Sequence, residues 1–318
     1  MARCTFLLAA FLMVLCSLSS PLYGWGSATH AYIAHQIGVR QGASNLNEVY
    51  GAVLPDVFNV MFGDPYQGQL WTQTHYEFMN PVEYAEFESD KALVIGFASH
   101  NEVWGADQTA HVSSIVQPGQ GYVVRKQNEL AAVLAPRIRL FLLLGGVSNV
   151  NTVIDEILPT VAHAAIETAV DLLISRNEDP AIGLRLAMAA RTRGWSAPIL
   201  LCKAYAADFA ATAGTSEAVA TPLIVAAESE FRLQMELYGT LLSQEDPVAA
   251  LAEQGADLAS LLLAAEMGIV VDIPADLMRE ILNTAIDIVK DDYAAELAAT
   301  ITYVRAELEA HGVTRTAL

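Results

Sequence analysis

ALVIGFASHNEVWGADQTAH, residues 92–111, is the stretch whose reading decides the fold. It is apolar over most of its length, lacks the alternation of a half-buried strand, and is interrupted only by glycines that a helix tolerates. The pattern predicts one helical run over residues 89–112. Within it His100, Asp107 and His111 stand at i, i+7 and i+11. At roughly 100° per residue the three fall within about 20° of one line along the helix. Three such residues on an apolar helix are expensive to bury without a partner. A metal ion is one such partner, because zinc takes neutral imidazole and carboxylate as ligands. A solvated polar face, or histidines satisfied by backbone carbonyls, is the competing reading.

The rest of the 318 residues agrees with helices packed on helices. Hydrophobic residues make up 53 % and charged residues 17 %, which suits a large core and excludes disorder as the main state. The expected fold is all-α, a multi-helix bundle with a helical C-terminal extension. Residues 26–38 form the first helix, capped by Ser27 or Thr29. A loop-rich stretch with Pro55, Pro65, Gly68 and Pro81 runs to about residue 88. Helices resume near Lys126, a further one covers 150–175, and SRNEDPAIG (175–183) is the best candidate boundary. The expected division is a signal peptide at 1–24, a zinc-binding helical core at 25–178, and a helical region at 179–318.

The formal charge of −19 argues against a general nucleic-acid-binding surface, which needs basic patches to displace counterions from phosphates. Bound divalent ions would still dominate the field in their own pocket and attract phosphate there. Arg3 followed by the apolar run Phe6 to Leu18 reads as a cleaved signal, too short for a good membrane anchor. The expected location is therefore secreted or periplasmic, with no transmembrane segment in the mature protein. Removal of the signal takes Cys4 and Cys16 and leaves Cys202, a core-filling thiol without a disulfide partner.

Further ligand-type residues lie outside the first stretch. His163 and Glu167 stand at i, i+4, the spacing by which one helix supplies two ligands to one ion, and Asp171 continues that face. A surface hydrogen-bonded pair is the ordinary alternative for such spacing. Asp56 follows Pro55, and His75 lies in THYEF. His30 opens the first helix five residues after Trp25. His35 sits about 140° around the helix from His30 and is read as structural or exposed, as is His311.

In chain order these pieces resemble the zinc-dependent phospholipase C family and the related single-strand-specific zinc nucleases. GSATHAYIAHQI and GFASHNEVWGADQTAH also resemble the N-terminal domain of glycosylphosphatidylinositol-specific phospholipase D. The resemblance spans roughly residues 25–175. It implies about three zinc ions in a cleft among helices, the first held by Trp25, through its amine and carbonyl, and His30. Asp107 would bridge that ion to a second held by Asp56, His75 and His100. The third would lie on His111, His163 and Glu167. An amine ligand at Trp25 requires cleavage after Gly24. The segment carries His-x6-Asp-x3-His, where bacterial phospholipases and the nucleases usually have His-x3-Asp-x5-His. Val57 also stands where choline-binding bacterial enzymes of that family carry an aromatic.

The activity this implies is hydrolysis of a phospholipid or other phosphodiester by zinc-bound hydroxide, with Asp56 as the group that orients or deprotonates the water. One rival is a single-strand nuclease stacking bases on Trp71, Tyr76, Phe78 or Trp104. The other is a non-catalytic, zinc-stabilised exported interaction protein whose ions have closed four-ligand shells.

Overall fold

A computed structural model describes residues 24–39, 42–61, 64–193 and 195–314. The fold is all-α, and the described residues contain no strand. Of the expected signal peptide only Gly24 falls among them; residues 1–23, with Cys4 and Cys16, lie outside.

The N-terminal half begins with α1 (Ser27–Ile37) and α2 (Ala43–Val53). A 3₁₀ segment, Leu54–Val60, leads to α3 (Gln67–Tyr76), and a second, Asn80–Tyr84, leads to α4 (Glu88–His100). The loop-rich reading of this region is thus corrected. Pro55 and Pro81 each sit in the first turn of a 3₁₀ segment, where a missing N–H costs nothing.

The single helix over 89–112 is also corrected: α4 ends at His100. Asn101 ends it, because its side-chain Oδ1 accepts hydrogen bonds from the backbone N–H groups of Val103, Trp104 and Gly105 at 2.8, 2.8 and 3.1 Å. A short side-chain acceptor that offers the backbone an alternative to helix in this way makes a turn. The chain re-enters a helical conformation near Ala106 and makes one π-type turn at Gln108–Val112. His100, Asp107 and His111 therefore do not share one helix stripe.

Helix α5 (Tyr122–Leu144) follows, then α6 (Val150–Glu156) and α7 (Leu158–Asn177). The expected helix over 150–175 is two helices, with Pro159 in the first turn of the second. Beyond it come α8 (Ile182–Thr192), α9 (Ser196–Thr212), α10 (Glu217–Leu242), α11 (Pro247–Met267), α12 (Ala275–Val289) and α13 (Tyr293–Ala310). One continuous buried cluster draws on both halves, from Trp25 and Phe97 to Phe231 and Val304. Cys202, half-buried in α9, packs against that cluster. Helix α7 is long and apolar enough to cross a membrane by composition alone, yet two thirds of that window, 67 %, is buried inside the protein.

Two glycines set the approach of α2 and α4. A side chain on Gly96 would overlap the Glu48 carbonyl oxygen, and one on Gly51 would overlap that of Leu93. The two backbones therefore touch, which brings the end of α4 within reach of the Ala52 carbonyl. Gly96→Val is expected to destabilise the protein by at least about 1–3 kcal/mol, the cost of forcing bulk into a packed interior. A lowered denaturation midpoint would show it; an unchanged midpoint would mean that the two helices can part freely.

The cap of α1 also comes from elsewhere than the sequence suggests. Neither Ser27 nor Thr29 caps this helix; Gly26 stands at its N-cap without a side-chain bond. The Asp171 carboxylate of α7 accepts from the backbone N–H groups of Ala28 and Thr29 at 3.0 and 2.7 Å and from the Thr29 hydroxyl at 2.6 Å. A carboxylate at a helix N-terminus satisfies orphan donors and faces the positive end of the dipole.

Candidate metal centre

Helix α1, the 3₁₀ segment after α2, α3, α4, the turn after it and α7 each send ligand-type side chains to one buried region. Four sets form there: His30, His100 and Asp107; Asp56, His75 and His100; His111, His163 and Glu167; and Glu102, Asp107 and His111. Within each set the candidate ligand atoms lie within 4.8 Å of one another, so each set could hold a metal ion. Eight of the nine positions singled out in the sequence meet here through their side chains.

Asp107 stands at the crossing. Its Oδ1 is 3.0 Å from His30 Nε2, and its Oδ2 is 2.8 Å from His100 Nε2 and 3.7 Å from His75 Nε2. Asp56 closes the other side, with Oδ1 3.5 Å from His75 Nε2 and Oδ2 3.8 Å from His100 Nε2. The Asn59 amide donates to Asp56 Oδ1 at 3.0 Å and fixes that carboxylate. In the third set, Glu167 Oε1 is 3.0 Å from His163 Nε2, and the His111 and His163 rings lie 5.5 Å apart.

Four imidazoles are oriented from behind. The Nδ1–H of His100 donates to the Ala52 carbonyl at 2.8 Å, and that of His75 to the Trp71 carbonyl at 2.9 Å. His111 Nδ1–H donates to Glu102 Oε1 and His163 Nδ1–H to Gln127 Oε1, both at 2.7 Å. Tying Nδ1 to an oxygen leaves Nε2 as the inward-facing ligand atom, the arrangement found behind most metal-bound histidines. Glu102 and Gln127 escaped the sequence reading. Glu102 lies two residues after His100, but its partner is His111, and only the break at Asn101 brings them together.

The fit to a cation is direct. His75 Nε2 and His100 Nε2 stand 3.3 Å apart, both with Nδ1 already committed. Two nitrogens about 2.0–2.1 Å from one tetrahedral zinc would be separated by about 3.4 Å. His30 Nε2 and both Asp107 oxygens are buried without a well-directed hydrogen bond among the described residues. Buried polar groups left in that condition call for an ion or a water.

The electrostatics of the metal-free cluster carry the same tension. Burial alone would lower His100, but Asp107 and Asp56 outweigh it and bring its pKa to about 9. Asp107 is held well below the usual carboxylate range, its own burial outweighed by His100 and His30. Burial and the neighbouring His100 lower His30, while burial and His111 lower His163 to about 3. Burial, together with Asp56 and Asp107, pushes Glu167 well above its ordinary value. A proton held by His100 thus stands in for the cation between Asp107 and Asp56.

Trp25 enters the centre differently from the other eight positions. Its indole N–H donates to the Thr109 hydroxyl at 2.9 Å and its ring stacks on Tyr122, with centroids 5.2 Å apart. The preceding backbone is what approaches the ligands: the Gly24 N–H donates to Glu167, and a Cβ on Gly24 would stand 2.7 Å from Asp107 Oδ1. Asp171, considered as an alternative ligand, belongs to none of the sets and serves the cap of α1 instead. Burial raises it to about 6 in spite of its hydrogen bonds. His35 is tied to Asn45 Oδ1 at 2.7 Å, and His311 stacks on Trp104 at 4.8 Å.

The C-terminal helices complete the surround. Tyr238 of α10 donates to Asp171 at 2.7 Å, and Thr300 of α13 meets Thr109 at 3.0 Å, behind the indole of Trp25. The four aromatics considered as base-stacking platforms divide unevenly. Phe78 and Trp104 are buried against each other, Trp71 lies flat on His75 at 4.1 Å, and Tyr76 is the one well exposed, at 53 %. No family model, curated protein or solved structure matches this chain.

Proposed function

We propose that this chain is a zinc-dependent phosphodiester hydrolase of the phospholipase C type, exported and processed to begin at Trp25. The observation that carries this reading is the convergence of His30, Asp56, His75, His100, Asp107, His111, His163 and Glu167. Mixed imidazole and carboxylate ligation favours zinc among divalent ions. Three divalent ions against the carboxylates of Asp56, Asp107 and Glu167 would leave the pocket positive inside an acidic protein, which suits an anionic ester. Zinc bound there would supply Lewis acidity and a water of lowered pKa.

The chain's own contribution starts with Asp56. At 15 % exposure its side chain is the most open of the Asp56, His75 and His100 set, and it also lines the adjoining cavity. A carboxylate between buried ligands and an open cavity is placed to orient an attacking water and take its proton. Asn59 holds that carboxylate in position, and Trp71 covers the far face of His75. Asp56→Asn is expected to cut turnover by about 10²–10⁴-fold, the usual contribution of a positioned acid or base, while the melting temperature changes little. Full activity in that variant would remove Asp56 from the role.

The whole reading is tested by metal analysis of the purified protein, N-terminal mass determination, and parallel assays on phospholipid vesicles and single-stranded DNA. About three zincs, a Trp25 start and zinc-dependent release of a phosphorylated headgroup are expected. A metal-free active protein, or one without phosphoesterase activity after zinc loading, would end it. Of the four aromatics considered as base-stacking platforms only Tyr76 is well exposed, which favours lipid over single-stranded DNA.

A further inference from the structure

A cavity of about 220 Å³ adjoins the metal centre, with Asp56 and Glu167 in its wall. Away from those carboxylates its lining is mainly apolar, including Val161 of α7, Phe231 and Met235 of α10, Leu258 of α11 and Leu282 of α12. Among the described residues, no lysine, arginine or histidine lines it. A smaller cavity of about 50 Å³ lies beside it; Val161, Ala259 and Met278 line both, and the smaller is lined by apolar residues throughout.

We infer that these adjoining cavities form the subsite for the organic group of the substrate, and that this group is a single unbranched alkyl or acyl chain attached near the phosphorus. The inference rests on reading the centre as a phosphate-ester hydrolase and names the substrate class it takes. The argument is one of matched surfaces. A wall without cations gives nothing to a second phosphate, so an oligonucleotide or a polyphosphorylated headgroup gains nothing by entering. A nucleobase would bury its polar edge against mostly apolar side chains, which costs free energy unless each group finds a partner. A hydrocarbon chain loses no hydrogen bonds there and gains from leaving water.

The extent of the two cavities has room for a chain longer than one ring. An apolar cavity of about 150 Å³ already accommodates benzene. The larger cavity exceeds that, and the smaller one lies beside it between α5, α7, α11 and α12. Three walls of this subsite come from α10, α11 and α12, within residues 179–318. The region without ligands to the metal centre thus selects the substrate.

Calorimetric titration of the zinc-loaded full chain with methyl-, butyl-, hexyl- and octylphosphonate tests this without relying on turnover. Methylphosphonate is expected to bind in a zinc-dependent way, with affinity rising about fourfold per added methylene until the chain fills the subsite. Ala259→Phe, which adds bulk where the two cavities meet, is expected to reduce the octyl-to-methyl affinity ratio by at least about tenfold. Ala164→Phe, from the α7 wall, does the same if the first variant fails to fold by circular dichroism. An affinity series flat with chain length overturns the inference and leaves the centre's function standing. A rising series that neither folded variant shortens also overturns it. Absence of zinc-dependent methylphosphonate binding counts instead against the hydrolase reading itself.

Discussion

Asp107→Asn is expected to leave the protein folded but short of at least one metal ion per chain, with hydrolysis lost. The carboxylate is fully buried and touches His30 through one oxygen and His100 through the other. Asparagine keeps the shape and gives up the charge, so two candidate ion positions lose the anion between them. In the metal-free protein the same change removes the main group that raises His100, whose pKa is then expected to fall from about 9. The buried imidazole can neutralise itself instead of standing as an unpaired charge, which is why the fold should survive.

Gln127→Ala provides the comparison for that result. It removes the oxygen behind His163 Nδ1 but no candidate ligand. Loss of such an outer partner typically costs about 10–100-fold in metal affinity. Asp107→Asn should cost more than this and change the stoichiometry, whereas Gln127→Ala should weaken binding without changing the number of ions at saturation. Metal content measured after gel filtration separates the two. A full complement of ions in Asp107→Asn would show that the carboxylate is structural.

The sequence made the ligands legible one by one but gave a wrong account of why they meet. A continuous helix would have placed His100, Asp107 and His111 on one stripe, with His100 two turns away from Asp107. Asn101 breaks that helix instead and sends Asp107 back to face His100, while His111 joins His163 and Glu167. Helical periodicity cannot announce such a break, because it depends on one amide oxygen capturing three backbone donors. His163 and Glu167 were easier, since i, i+4 spacing within one unbroken helix fixes their proximity.

The groups behind the ligands were invisible for a different reason. Ala52 and Trp71 act through backbone carbonyls that any residue carries, and the first depends on two glycines that let α2 and α4 touch. The all-α class followed directly from composition and pattern. The role of α10 to α12 did not, because an apolar cavity wall and an ordinary core helix have the same sequence signature.

Metal-free protein is expected to lose stability as pH rises from 6.5 to 9, and metal-loaded protein is expected to do the reverse. His100 sits at about 9 in the folded metal-free chain and at about 6.5 when unfolded. Its contribution is fully present below 6.5 and disappears as pH climbs through 9. A shift of that size in a fully buried group corresponds to about 3 kcal/mol. Glu167, pushed up by burial, has the same sign: its folded pKa exceeds its unfolded one, so rising pH favours the unfolded chain. His30 and His163 are lowered, so they oppose folding on acidification below 6.5 and are silent above it. With metal present the direction inverts, because the ligands must give up their protons to bind and affinity grows as they do so. Denaturant melts at pH 6.5 and 9, with zinc and with chelator, should therefore cross. Parallel slopes in the two series would mean that His100 keeps its proton when metal is added and is not a ligand.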